Sequence, residues 1–451
     1  MNKIIQYLSQ ERSQIITFFF IATLSSQRYL LPDIYHFTCL VPLILGLIYQ
    51  NKNIILGNTY LIIALFTFVD IGGGGSDYGL YVFKESAGII RYSIYLTILS
   101  IIIIRYRINT SKIWIPVMLL IMPTIITVYN AFDLNFTINS TLLRGDIFVA
   151  IMTFLVLTNK NKKIFNFDNR LLCCFLIFYG FFEVINSLVY HDFTIGYSNY
   201  HSIKSLIVFP LIYSLIFFKS HLIKLILLLC TVIVLVGYTT RMIILSLILT
   251  LTIYYASKIN LKSLTQILTI GLMIFVSIGI GISLFQYQGI GESIKVLNMI
   301  QILIDGDNIL LSLQLIDPWR FGELQLLFDR NLFSIIFGEG FGSGVFDSKG
   351  YLTFADFGQT AYSDKELISG IFYNMHDLVT DYGLRFGLLF ITVFLYDVIK
   401  NIIFSKNHLK TFYAMLLLIL SLCAFFSSAG IILISVFYLN YMAIDQGAIK
   451  L

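Results

Sequence analysis

Arg241 follows Gly237-Tyr238-Thr239-Thr240 in a break of a few residues between two strongly apolar runs, Leu222 to Val236 and Met242 to Tyr254. A guanidinium there either snorkels to an interface or turns its planar fork toward phosphate oxygens, which it binds bidentately while staying charged at any relevant pH. Arg320 and Arg330 carry the same fork, although either could simply pair with an acid on its own helix, such as Asp317 or Glu323. His376 adjoins Asp377, and Asp381 follows a turn later. An imidazole exchanges a proton near neutral pH, which activation of a hydroxyl nucleophile needs; an interfacial histidine of no special role is the plainer alternative. His191-Asp192 and His201 make the same chemical argument with less context around them.

Other patterns carry less chemistry. The run Gly338-Glu339-Gly340-Phe341-Gly342-Ser343-Gly344 lacks the Lys-Ser/Thr of a phosphate loop and does not fit the dinucleotide fingerprint, so it reads as a turn. Asp305-Gly306-Asp307-Asn308 pairs carboxylates without further placed ligands, and no metal site is expected from it. The glycines Gly72 to Gly75 read as a flexible outer turn. Cys39, Cys173, Cys174, Cys230 and Cys423 all sit in apolar runs with no CxxC pair, so they serve as small apolar residues rather than as zinc ligands or disulfide partners.

The elements that must position these groups follow from composition. Of 451 residues, 58% are hydrophobic and only 12% charged, against about 25% charged in soluble proteins. With a mean hydropathy of +0.85, the apolar surface exceeds what soluble cores bury, and the remainder faces lipid. A net charge of +5 without a basic stripe gives nucleic-acid binding no support. Apolar runs between charged breaks predict fourteen spans, near 14–30, 34–50, 55–70, 87–104, 113–130, 145–158, 170–189, 203–218, 222–238, 240–256, 265–287, 372–399, 410–427 and 429–444. No signal peptide is expected, because polar Ser9 to Ser13 precedes the first run and no small-residue cleavage site follows it.

Lysines and arginines orient the spans. Lys52, Arg105, Arg107, Lys112, Lys160, Lys162, Lys163, Arg170, Lys219, Lys224, Lys258, Lys262, Lys400, Lys406 and Lys410 all fall in alternate loops, and with Lys3, Arg12 and Lys450 they make 18 of the 30 basic residues. The positive-inside rule makes that side, and both termini, cytoplasmic. The expected organisation is eleven spans over 1–287, a large periplasmic loop over 288–371, and three spans over 372–451. That loop holds 11 of the 25 acids beside apolar stretches such as Leu324 to Ile336, a mixture that predicts amphipathic helices lying over the bundle mouth. Asp317-Pro318 reads as an N-cap and first-turn proline opening a helix that carries Arg320, Glu323 and Arg330.

Three segments together resemble the integral-membrane O-antigen polymerase and ligase superfamily. They are Thr239-Thr240-Arg241 opening an apolar helix, Trp319-Arg320 heading a stretch that ends in Gly338-Glu339-Gly340-Phe341-Gly342, and Met375-His376-Asp377-Leu378 followed by Asp381-Tyr382-Gly383-Leu384-Arg385-Phe386-Gly387-Leu388. Order and rough spacing agree over residues 235 to 400, while the first half of the chain matches only in being a stack of spans. Asp377 stands where family members commonly have asparagine, Asp381 where they often have glutamate, and Met242 where a small residue often follows the arginine. An adjacent carboxylate could orient or charge the imidazole of His376 in a way an amide does not.

The resemblance implies an all-α, polytopic membrane protein similar to the type C glycosyltransferases, working at the periplasmic face of the bacterial inner membrane on undecaprenyl-pyrophosphate-linked oligosaccharides. It implies neither nucleotide sugar nor cofactor nor metal, and a chain-length regulator is a candidate partner beside membrane lipid. His376, Arg320 and Arg241 are the catalytic candidates. Arg241, Arg320, Arg330 and Asp377 are the substrate-binding ones. A sugar pyrophosphate already carries a good leaving group, so the chemistry needs cationic stabilisation of departing charge and a base for the acceptor hydroxyl. Polymerase and ligase, the latter handing glycan to lipid A core, share these motifs; the diversity expected of polymerases favours the first. A transporter or flippase predicts ionisable residues in mid-span and two related halves, whereas the first eleven spans are nearly free of charge in mid-span apart from Arg91 and Glu183 and no halves repeat.

Overall fold

A computed structural model describes residues 2–26, 37–68, 84–131, 147–161, 164–190, 204–220, 222, 224, 226–227, 231, 241–257, 318–352, 362, 364–373, 375, 378–423 and 428–445. Helix dominates them, as the long Leu-, Ile- and Phe-rich runs dictate: with few polar side chains to compete for backbone hydrogen bonds, the chain satisfies its own amides internally. The helices numbered among the described residues are α1 (Asn2–Ser26), α2 (Leu40–Lys52), α3 (Ile54–Thr67), α4 (Lys84–Arg105), α5 (Trp114–Ala131), α6 (Ile147–Thr158), α7 (Asn169–Tyr190), α8 (Phe209–Phe217), α9 (Arg241–Ala256), α10 (Pro318–Phe328), α11 (Leu332–Phe337), α12 (Asp364–Ser369), α13 (Leu378–Phe404), α14 (His408–Cys423) and α15 (Ser428–Asp445). Two short strands, β1 (Val345–Phe346) and β2 (Ile371–Phe372), pair antiparallel with Val345 opposite Phe372.

Contacts divide the chain into two compact units, the first comprising Met1–Ile71, Gly79–Leu99 and Phe165–Ile294, the second Gly72–Tyr78, Ser100–Ile164 and Lys295–Leu451. In the first, α2 and α3 form a tight hairpin. The Asn53 side chain caps α3 by accepting from the Leu56 amide at 3.2 Å. Polar side chains bind the hairpin to its neighbours inside an otherwise apolar bundle: Tyr60 donates to Gln14 of α1, and Asn58 donates at 2.7 Å to the carbonyl of Asn166 just before α7. In the second unit, α13, α14 and α15 pack in sequence, α6 lies against α15 and α5, and α10 and α11 both pack on α13.

Among the described residues, Val379–Phe404 is the one helix long and apolar enough to cross a membrane by itself; Ile54–Thr67, Trp114–Tyr129, Ile147–Thr158, Ser205–Phe217, Ile243–Ala256, His408–Cys423 and Ala429–Ile444 are shorter apolar helices. Helices occur at most of the apolar runs, with bounds mostly shifted by a few residues; α1 starts at Asn2, 12 residues ahead of the run at 14–30, and the run at 265–287 and most of that at 222–238 lie outside the described residues. Two expectations in the 288–371 segment and the span after it need correction. The helix opening at Pro318 ends at Phe328, so Arg330 sits in the link to α11 instead of on the helix of Arg320 and Glu323. The cause is Asn331, whose side chain caps α11 by accepting from the Ser334 amide at 2.8 Å and so starts a new helix. The span expected from 372 begins at Leu378, because Ile371 and Phe372 are extended in β2.

Candidate functional site

Pro318 occupies the first turn of α10, where its missing amide costs nothing, and Trp319 and Glu323, four residues apart, share one face of that helix with Arg320 beside it. Trp319 packs edge-on against Tyr362, 5.5 Å between ring centroids, and Tyr362 packs in turn on Phe372 of β2 at 4.7 Å. The Tyr362 hydroxyl donates to Oε1 of Glu323, a carboxylate buried completely. Leu326, Val345, Leu352, Tyr362, Phe372, Met375 and Leu384 complete a small core joining α10, the strand pair and the start of α13. Arg320 is half-buried at its edge.

A second buried polar group stands in the first turns of α13. Asp381 and Arg385, one helical turn apart, are both fully buried and meet at 3.5 Å between Arg385 Nη2 and Asp381 Oδ1. Oδ1 of Asp381 accepts the Met375 amide at 3.0 Å. Arg385 donates through Nη1 to the Ser343 carbonyl at 2.9 Å and through Nη2 to the Tyr373 carbonyl. Burying two charges costs several kcal/mol per ion unless hydrogen bonds fill the remaining positions. Here those bonds go to backbone on both sides of residue 374, so the pair fixes the path of the chain just ahead of α13. A buried arginine holding two carbonyls of separate loops acts as a brace, and the loops it joins are those carrying the glycine run and the residues before Leu378.

That glycine run is a turn, with positive φ at Gly338 (84°), Gly340 (80°) and Gly342 (70°). It docks where α13 breaks. Gly387 has φ 78° inside the helix, so the carbonyls of Leu384 and Arg385, which in an unbroken helix would accept from residues 388 and 389, accept instead from the amides of Glu339 at 2.7 Å and Gly340 at 3.3 Å. The approach is so close that a Cβ on Gly338 would lie 2.3 Å from the Arg385 carbonyl oxygen, and one on Gly387 would lie 2.0 Å from that of Ile336. Arg330 closes the same junction: Nη1 meets Glu339 Oε1 at 3.4 Å, Nη2 reaches the Gly383 carbonyl at 3.5 Å, and Nε donates to Leu327.

Above it, the Asp347 carboxylate accepts the Tyr351 and Leu352 amides at 2.9 and 2.7 Å and ties down the following loop. Hydrogen bonds to Asp329, at 2.6 Å, and to Tyr351 hold the exposed Lys349 ammonium above its usual pKa.

Of the residues singled out from sequence, Arg320 and Arg330 lie in this assembly, the first at its edge and the second inside it. Arg330 bonds across to Glu339 and not to an acid of α10. Arg241 heads α9 in the first unit, as its position after Thr240 predicts; its side chain, together with His376, Asp377, His191, Asp192, His201, Asp305, Asp307, Asp317 and Gly72 to Gly75, lies outside the described residues. Sequence reasoning assigned no role to Arg385 and read Glu323 only as a neighbour for Arg320. A signal for the first was present, an acid and an arginine four apart in an apolar run. Among the described residues, no group of three or more His, Cys, Asp or Glu is arranged to hold a metal ion. No family model, curated protein or solved structure matches this chain.

Proposed function

We propose that the chain is an O-antigen polymerase, or a polymerase of a similar surface polysaccharide: a polytopic enzyme of the bacterial inner membrane with about fourteen spans, cytoplasmic termini and a periplasmic active site. The observation that carries this reading is the junction of two segments on which the family resemblance rests. Gly338-Glu339-Gly340 is hydrogen-bonded and packed onto the break in Asp381–Leu388, 48 residues separating Gly338 from Gly387. Motifs distant in sequence that build one another's backbone are a unit, and Tyr373 and Met375 are tied to it through Arg385 and Asp381.

In the reaction, a hydroxyl of the acceptor repeat attacks the anomeric carbon of the donor glycan. A new carbon–oxygen bond forms as the bond to the pyrophosphate oxygen breaks, and undecaprenyl pyrophosphate leaves carrying the electron pair. His376 takes the hydroxyl proton, and Asp377 orients the imidazole. Arg320 binds departing pyrophosphate charge through its fork, the role that the resemblance gives also to Arg241. Arg330, engaged with Glu339 and Gly383, supports the turn rather than the substrate, which narrows its role from the binding one expected of it. Asp381 and Arg385 are positioning residues for the chain that carries His376. The lipopolysaccharide ladder of a strain lacking the gene tests the reading. A single repeat on core supports it, bare core with accumulated lipid-linked polymer would reassign the protein as the ligase, and an unchanged ladder would refute both.

A further inference from the structure

Sequence patterning lays the helices of the 288–371 segment over the mouth of the bundle. Their contacts put part of it lower. Gly387, which Ile336 and Gly338 touch, lies 13 residues before Lys400, or about 20 Å of helix from the cytoplasmic boundary that lysine marks. With a hydrocarbon core of about 30 Å, the contact falls about 10 Å below the outer boundary. Helix α5 gives an independent depth. Gly340 packs on the Pro123 carbonyl and Thr127 Oγ1, 11 and 15 residues beyond Lys112, or about 16 and 22 Å up, hence about 14 and 8 Å below the same boundary. Two helices running in opposite directions thus place one glycine turn at one depth. The six residues of α11 span about 9 Å, the distance needed to reach it from the Lys349–Asp329 ion pair, which is exposed as an interfacial pair is.

The turn is also built for that depth. Non-helical backbone is tolerated inside a bilayer only where protein satisfies it, and four consecutive amides here are satisfied: Gly338 by Ser334 at 2.9 Å, Glu339 by Leu384, Gly340 by Arg385, and Phe341 by Thr127 Oγ1 at 2.7 Å. The opposite face is apolar and bare. Leu332 is 72% and Phe333 55% exposed, and Leu324 and Phe328 are exposed on α10. Leu389, Val393 and Tyr396 are likewise exposed on α13, the helix suited to span the membrane.

From this we infer that residues 331–341 form a re-entrant hairpin inserted into the outer leaflet, with Leu332 and Phe333 against lipid acyl chains and the glycine turn sealed between α5 and α13. The inference rests on the membrane reading above and names what covers the apolar face: bilayer lipid. It makes the segment a wall of the membrane domain and not a lid in water.

The test uses full-length protein with its five cysteines replaced by alanine, carrying Leu332→Cys, Phe333→Cys or Ser348→Cys, each at an exposed position, with Phe333 giving up only its ring contact to Phe337. Each is labelled with an environment-sensitive fluorophore and reconstituted into phosphatidylethanolamine/phosphatidylglycerol vesicles with brominated acyl chains. Quenching several-fold stronger at 332 and 333 than at 348 is expected. Equal, weak quenching at all three positions would overturn the hairpin, as would protection of 332 and 333 from aqueous reagent without quenching, the mark of a protein partner. Quenching does not depend on which way the protein faces. In intact cells an impermeant maleimide that fails to reach position 348 while reaching a cysteine at 161 would reject the periplasmic assignment and leave the hairpin to be decided by the lipid data.

Discussion

Replacing Gly387 by alanine tests the junction on which both proposals depend. The positive φ alone costs an alanine about 1–2 kcal/mol. The larger problem is contact: the new Cβ would sit 2.0 Å from the Ile336 carbonyl oxygen and 2.3 Å from its carbon, both backbone atoms that no rotamer change can move. Helix α11 must withdraw, taking with it the bonds from Glu339 and Gly340 to the carbonyls of Leu384 and Arg385. At about 0.5–1.5 kcal/mol each, the losses bring the total to about 2–5 kcal/mol, or roughly 30- to 4,000-fold in a folding equilibrium.

Gly383→Ala is the control. Its Cβ meets only the far ends of Ile391 and Leu327, at 2.8 and 3.2 Å, and alanine favours the helix by about 1 kcal/mol, so the net change stays within about 1 kcal/mol. Reversible titration of the purified protein from mixed micelles into SDS gives the comparison. Trp319, one of two tryptophans, reports on the affected unit through its contact with Tyr362. A Gly387→Ala protein as stable as Gly383→Ala, with unchanged Trp319 emission, would mean that α13 is unbroken at this point and would remove the reason for the turn to dock there.

The buried pair predicts a strong non-additivity: Arg385→Met alone should destabilise by about 3–5 kcal/mol because Asp381 is left buried with its charge, while Arg385→Met combined with Asp381→Leu should recover much of that loss, measured in the same titration. Arg320→Ala and Arg241→Ala should each abolish polymer while leaving membrane abundance normal, and lysine should rescue only in part because it keeps the charge and loses the fork; a full ladder from either alanine variant would return that arginine to a structural role. His376→Ala should lower the initial polymerisation rate with purified lipid-linked repeat by about 10²- to 10⁴-fold with donor binding little changed, in buffer containing chelator, whereas Asp377→Asn retains substantial activity and His201→Ala is near neutral. A wild-type rate from the His376 variant would remove the base assignment.

How much of this could be read in the sequence depends on whether the cause was local. The helix starting at Pro318 was legible because the fixed φ and missing amide of proline suit a first turn, and Gly338 to Gly344 was legible as a turn because three of its glycines adopt φ that other residues resist. The end of α10 was also local, signalled by the capping Asn331 three residues before Ser334, yet the helix opening at Pro318 was expected to carry Arg330 as well. Gly387 was not legible. In an apolar run a glycine reads as span interior, and nothing near it indicates a break, because the partners of the freed carbonyls come from residues 339 and 340. Arg385 was legible only as the partner of Asp381 four residues before it, because its acceptors at Ser343 and Tyr373 are backbone carbonyls that leave no trace in residue type, and nothing local points from Glu323 to Tyr362, 39 residues away, whose hydroxyl donates to one of its oxygens.

These long-range dependencies give the family-like pattern a physical meaning it lacks as a string. Gly338 is small because Arg385 and Gly387 approach it, and Gly387 is small because Ile336 does, so each glycine is required by the segment containing the other. A substitution at either one should therefore damage the other segment first. The two glycines need to be tested as a pair, since a change that already displaces α11 leaves the second substitution little further contact to break.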